Sequence, residues 1–173
     1  MPIHLTDLNV VSEAEGVRSA LIVPCNMCPA VSAAVDEGQP FMKLFGSWVR
    51  SAPFERRIKT LQSRLAERGV ATEVFRNPLY DQWFMCMWTE RRRQKLQRRA
   101  KRHDAVIVLG CDTANETVRE AVEPIGVRVI EGMEAAGLMN ARMRFRPPGS
   151  IGFEDCRIVP IAPRVSRQST AQH

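Results

Sequence analysis

Cysteine carries the most distinctive chemistry in this chain of 173 residues, which holds five of them. Cys25 and Cys28 form a Cys-x-x-Cys pair directly after the apolar run at 17–24, and Pro29 suits a first helical turn. Two sulfurs so spaced can grip one metal ion or one cluster, or close as a disulfide. At a helix N-terminus the unpaired N–H groups and the dipole favour thiolate. Cys111 follows a second apolar run, AVIVLG, and also precedes a helical pattern. If the two runs are neighbouring strands, three thiols converge on one rim. Cys156 or Cys86 supplies a fourth. Cys86 lies in the run WFMCMW and reads as buried, which favours Cys156. Cys25, Cys28, Cys111 and Cys156 are thus the candidate ligands of an iron–sulfur cluster or zinc. The bland alternative is a set of cysteines buried as small apolar residues, the preferred reading for Cys86.

Other chemistry has less support. The chain lacks a P-loop, Gly-x-Gly-x-x-Gly, His-Glu-x-x-His and Gly-x-Ser-x-Gly. Of three histidines, two lie near the termini, and His103 reads as the cap of a basic helix. Asp112 reads as a helix cap. Glu131 and Glu134 follow a strand pattern near the same rim and read as capping or ion-pairing groups.

The elements that would position these thiols alternate along the chain. Strand patterns occupy 17–24, 70–75, 105–110 and 127–132. Helix patterns occupy 30–38, 53–68, 89–103 and 114–123, with short helices expected at 40–50 and 133–141. The segments MRFR and IGFEDCRIVPI flank Pro147-Pro148-Gly149-Ser150 and read as an antiparallel pair. This pattern predicts a single α/β domain over 17–163, its sheet mostly parallel and flanked by helices, with a C-terminal antiparallel strand pair. An irregular arm at 1–16 and a disordered tail at 164–173 complete the expected organisation. Ligands of such sheets bind beyond the C-terminal strand ends, where the cysteines fall.

Charge is concentrated in one place. The net charge is +6, and residues 89–103 alone hold +7, so the rest of the chain sums to −1. The bland reading of this helix is a solvated outer face, with Leu96 and Ala100 turned inward. The sharper reading is a docking face for an acidic partner through Arg91, Arg92, Lys95, Arg98, Arg99 and Arg102. No nucleic-acid-binding signature accompanies it, and Trp83, Phe84 and Trp88 read as a core-facing cluster. With 45% hydrophobic residues a packed core is expected, and no apolar run is long enough to span a bilayer. The N-terminus has no basic start and apolar stretch, and five cysteines do not suggest a disulfide scaffold. The expectation is a cytoplasmic protein with reduced thiols.

The runs ALIVPCNMCPA and DAVIVLGCDTANETV resemble the cysteine-bearing α/β domain that accompanies methylenetetrahydrofolate reductases of anaerobic bacteria. The similarity covers about half the chain. It implies cysteine ligation of an iron–sulfur cluster or zinc beside a flavin- or folate-linked reductase, with Cys25, Cys28 and Cys111 as matching positions. Three functions follow as expectations. The first is a metal- or iron–sulfur-binding accessory protein supporting electron transfer or a reductase subunit in one-carbon or sulfur metabolism. The second is a thiol–disulfide or sulfur carrier using Cys25-Asn-Met-Cys28. The third is a non-catalytic interaction module using the basic helix.

Overall fold

The structure is a computed structural model that describes residues 2–43, 51–76 and 84–161. Four parallel strands build its central sheet: β2 (Ser19–Pro24), β4 (Ala71–Val74), β5 (Ala105–Leu109) and β6 (Arg128–Glu131). They lie in the order β4-β2-β5-β6. Every residue of β5 is buried, as is all of β2 after Ser19. Strands covered on both faces need apolar residues without alternation, and ALIVP and AVIVL provide them. Within this sheet the chain first lays the second strand beside the first, then crosses to the other side for the third. The two connections from the first strand therefore diverge between β2 and β5, the place where doubly wound sheets bind ligands.

Helices cover both faces. α2 (Cys28–Asp36) and α3 (Ala52–Ala66) pack on one face, and α4 (Glu90–Ala100) and α5 (Asp112–Val122) on the other. In α3, Phe54, Ile58, Leu61 and Leu65 recur at three- and four-residue steps and form its packed stripe. Gly69, at φ +76°, ends the turn that follows. Six consecutive residues of α2, Pro29 to Ala34, are buried. A helix buried all round needs this small apolar composition, because it is wedged between two sheets.

The second sheet is antiparallel, in the order β1-β7-β8-β3. It contains β1 (Ile3–Asp7), β3 (Met42–Lys43), β7 (Met133–Arg146) and β8 (Ser150–Pro160). The α/β class, the parallel sheet and the terminal antiparallel pair agree with the sequence reading. The pair is, however, half of a four-stranded sheet. Residues 1–16 are not an irregular arm, since Ile3–Asp7 pairs with β7, Val10–Glu13 forms α1, and Leu5 is fully buried. Residues 133–141 belong to β7, not to a helix. Of the helix expected at 40–50, Met42–Lys43 is strand and residues 44–50 lie outside the described segments. The tail at 164–173 and Trp83 lie outside them too.

The passage from β6 into β7 runs through Gly132, whose N–H donates to the Val108 carbonyl at 2.8 Å. A Cβ there would stand 2.8 Å from that same oxygen, so the close crossing over β5 requires glycine. Among the described residues no helix is long and apolar enough to cross a membrane.

Candidate functional site

β2 and β5 run in register, Ala20 opposite Ala105 and Pro24 opposite Leu109, so both strands end at the same level. The N–H of Cys25 donates to the Leu109 carbonyl at 2.9 Å and extends the ladder by one bond. Cys25 follows β2, Cys28 opens α2, and Cys111 is the residue before α5. All three therefore follow strand ends at the divergence between β2 and β5, with Cys28 and Cys111 at two helix N-termini. Gly110 lets the turns approach closely, because a Cβ on it would lie 2.6 Å from the Ala114 Cβ and 3.7 Å from the Cys25 Cβ.

The fourth thiol of this neighbourhood is Cys86, not Cys156. Phe84 takes a left-handed φ of 51°, and a single 3-10 turn follows at Met85–Met87. The turn buries Met85 and leaves Cys86 and Met87 exposed. The expectation of a buried Cys86 fails because a 3-10 turn cannot hide three successive side chains on one side. Trp88 is buried against Phe75 as expected, whereas Phe84 is 42% exposed and lies outside the core. Cys156 sits on β8 beside Ala34, Val35 and Gly38, at the C-terminal end of α2. Cys28 is at the other end, one helix length or roughly 10 Å away.

Electrostatics ties the four rim thiols together. Burial above all, with smaller contributions from charge at Cys28 and Cys111, pushes the Cys25 thiol up to about 11. Backbone hydrogen bonds from Met85 and Met27 pull in the opposite direction. Burial also raises Cys28, and thiolates at Cys111 and Cys86 would repel one forming there. Cys156 is raised by burial and by Asp155, and it has no such coupling to the rim. All four rim sulfurs are free thiols.

Cys28 also has structural work. β1 is the edge strand of its sheet, and side chains one turn apart on α2 meet its outward backbone. The Ile3 backbone bonds to the Cys28 sulfur, and the Leu5 N–H donates to Ser32 Oγ at 2.9 Å. These contacts occupy polar edge groups that would otherwise face unpaired.

Among the described residues no three His, Cys, Asp or Glu side chains stand close enough together to hold a metal ion as they are. Thiols are nevertheless the donor class that thiophilic metals take. The neighbourhood holds four sulfurs, with backbone bonds to Cys25 and to Cys28 and two helix N-termini beside them. The same arrangement weighs against Cys25 as an attacking thiol, because a group near 11 is almost wholly protonated at neutral pH.

No protein-family model, curated protein or solved structure matches the chain.

The basic helix divides into two sets of side chains. Leu96 and Ala100 point into the core. Arg93 pairs with Glu120 at 2.5 Å, and Arg99 pairs with Glu73 while lying over the Phe75 ring at 5.9 Å. Arg99 therefore serves the fold and leaves the proposed docking set. His103 also meets Glu73, at 3.2 Å, so its ring is not at the rim. Arg91, Arg98, Lys101 and Arg102 are exposed, with Arg92 and Lys95 half-buried. Replacing Arg91 and Arg98 by Glu is expected to change stability by less than about 0.5 kcal/mol in urea melts. Arg99→Glu sets a carboxylate against Glu73 and is expected to cost about 2 kcal/mol in the same assay.

Two other expectations resolve simply. Glu131 is an ion-pairing group, accepting from Arg119 at 2.7 Å. Asp112 is the first residue of α5, so Cys111, not Asp112, occupies the cap position. One residue near the rim was absent from the sequence reading. Asn115 lies one turn after Cys111 on α5 and is 1% exposed. A polar residue at a core-facing helical position was its available signal.

Proposed function

We propose that this chain is a metal- or iron–sulfur-binding accessory protein, with Cys25, Cys28, Cys111 and Cys86 as ligands. The observation that carries this reading is the meeting of Cys25 and Cys111 at the divergence of β2 and β5, where the exposed Cys86 is coupled to Cys28. When bound, zinc would hold the turns together, and an iron–sulfur cluster would supply one-electron transfer. The chain's own part is to gather the sulfurs, direct backbone bonds at Cys25 and leave Cys86 facing solvent on the exposed side. The association with a reductase of one-carbon or sulfur metabolism rests on the resemblance of the two cysteine-bearing runs. The exposed arginines of α4 are the proposed contact for an acidic subunit.

The test is metal content after anaerobic purification. Wild-type protein is expected to hold stoichiometric zinc or iron. Cys86→Ser is expected to lose at least half of it, and Cys156→Ser to lose none. Retention in Cys86→Ser together with loss in Cys156→Ser would return the fourth ligand to β8. A metal-free wild type that cycles with a dithiol reductant through a Cys25–Cys28 disulfide would support the thiol–disulfide reading instead.

A further inference from the structure

Away from the thiols, a cavity of about 200 Å³ lies between α3 and the ends of two parallel strands. Leu109 and Gly132 line it from the C-terminal ends of β5 and β6, and Leu8 and Val10 line it from the passage between β1 and α1. Phe54 and Leu61 line it from α3, and no cysteine touches it. The Leu8 N–H donates to the Gly132 carbonyl at 3.0 Å and ties the passage to the strand end. The region beyond the carboxyl ends of parallel strands is where α/β folds bind small ligands. At about 30 Å³ per water the space matches roughly seven waters, which suits a small molecule and not a peptide.

The charged groups of the cavity are sorted along α3. Near Phe54, Arg57 donates to Asp36 at 2.8 Å and stands 3.7 Å from Asp7 and 3.9 Å from Glu37. Arg56 pairs with Glu37 at 2.5 Å, so both arginines are already engaged by carboxylates. Arg64 lines the same cavity seven residues on, roughly 10 Å along the helix. Among the described residues Arg64 has no ion pair, and Thr60 has no side-chain hydrogen bond. Residues four apart share a helix face, so this hydroxyl and this guanidinium are neighbours. Together they form a donor pair suited to a carboxylate, whose two oxygens match a guanidinium fork.

We infer that this cavity binds a small monocarboxylic acid with an apolar body, its carboxylate on Arg64 and Thr60 and its hydrocarbon part against Phe54, Leu61, Val10 and Leu109. The inference is independent of the metal reading. Apolar walls supply the affinity, at about fourfold per buried methylene. Asp7 and Glu37 at the far end repel a second carboxylate, so the site selects monoacids over diacids.

Octanoate is the probe, titrated into the nitrogen-15-labelled full-length chain while NMR follows the amide signals of Thr60 and Gly132. Both signals are expected to shift saturably, with a Kd below about 1 mM. Arg64→Gln is expected to bind octanoate roughly tenfold more weakly, and Thr60→Val roughly threefold. Lys59→Gln, exposed on α3 and outside the cavity, should bind as wild type does. All three positions are exposed, so none of these changes is expected to unfold the chain. Suberate, the diacid of equal length, is expected to bind at least about tenfold more weakly than octanoate. Sodium sulfate should displace no more octanoate than sodium chloride at equal ionic strength. Shifts at Thr60 and Gly132 that stay linear to about 10 mM would overturn the site. Unchanged affinity in Arg64→Gln would overturn it as well, by showing that the acid group lies elsewhere. Suberate binding as tightly as octanoate, or specific displacement by sulfate, would overturn the selection of an apolar monoacid. None of these readouts depends on whether the thiols hold a metal.

Discussion

Removing the metal from the loaded protein with a chelator is expected to leave it folded and about 4 kcal/mol less stable, where free metal had stood 1,000-fold above its Kd. The size follows from linkage, because on the proposed reading the metal binds the native state alone. The survival of the fold follows from the core. Leu21, Ile22, Val23, Val106, Ile107 and Val108 have no exposed surface, and the helices on both faces of the sheet pack in the same clusters. Very small zinc modules lack such a core and unfold without metal. The check is a pair of urea melts with far-UV circular dichroism. The spectrum should be unchanged by chelation and the midpoint should fall. Loss of the spectrum would mean that the thiol site holds the sheet ends together. An unmoved midpoint would mean that no metal was bound to the native state. Acid should act in the same direction as the chelator. Burial holds Cys25 near 11 and raises Cys28, so both are protonated across the neutral range. Binding therefore releases their protons, and each proton displaced weakens binding about tenfold per unit fall in pH.

How much of this site could be read from the sequence depends on how local each cause is. The strands β2 and β5 announce themselves because burial on both faces imposes unbroken apolar runs. Cys25, Cys28 and Cys111 follow from those runs directly. β1 does not announce itself. Its apolar residues Ile3 and Leu5 stand among polar neighbours, and its pairing partner lies some 130 residues along the chain. β7 misleads outright. Met133 to Ala141 is rich in Ala, Met, Glu and Leu, which favour helix, but β1 and β8 pair with it on both sides. Tertiary pairing overrides propensity there. The exchange of Cys156 for Cys86 has a third origin. The apolar neighbours of Cys86 suggest burial, but the left-handed φ at Phe84 and the 3-10 turn decide which of Met85, Cys86 and Met87 goes inward. Asn115 was readable in principle, as an amide four residues after a cysteine on the core-facing stripe.

Gly110→Ala is expected to abolish metal binding without touching a ligand, and to cost roughly 1–3 kcal/mol of stability through overpacking. The new Cβ would stand 2.6 Å from the Cβ of Ala114, a separation real side chains do not tolerate. Ala114 is 1% exposed and its Cβ is fixed by the helix backbone, so no flexible side-chain end can swing away. The first turn of α5 must move instead, and Cys111 caps that turn. Shifts of about 1 Å in a shell of supporting residues are enough to spoil a site held to about half that tolerance. Gly152→Ala is the control, because a Cβ there meets nothing within 4 Å. The decisive variant is the double change Gly110→Ala with Ala114→Gly, which removes the clash by shortening its other partner. Glycine inside the helix costs about 1 kcal/mol, so the double variant should remain less stable than wild type. Its metal content should nonetheless return, since the cycle between the two positions isolates their contact. Metal binding that stays lost in the double variant would show that Gly110 acts through its own backbone conformation. Full binding in Gly110→Ala alone would show that Cys111 need not be held by the close approach of these two turns.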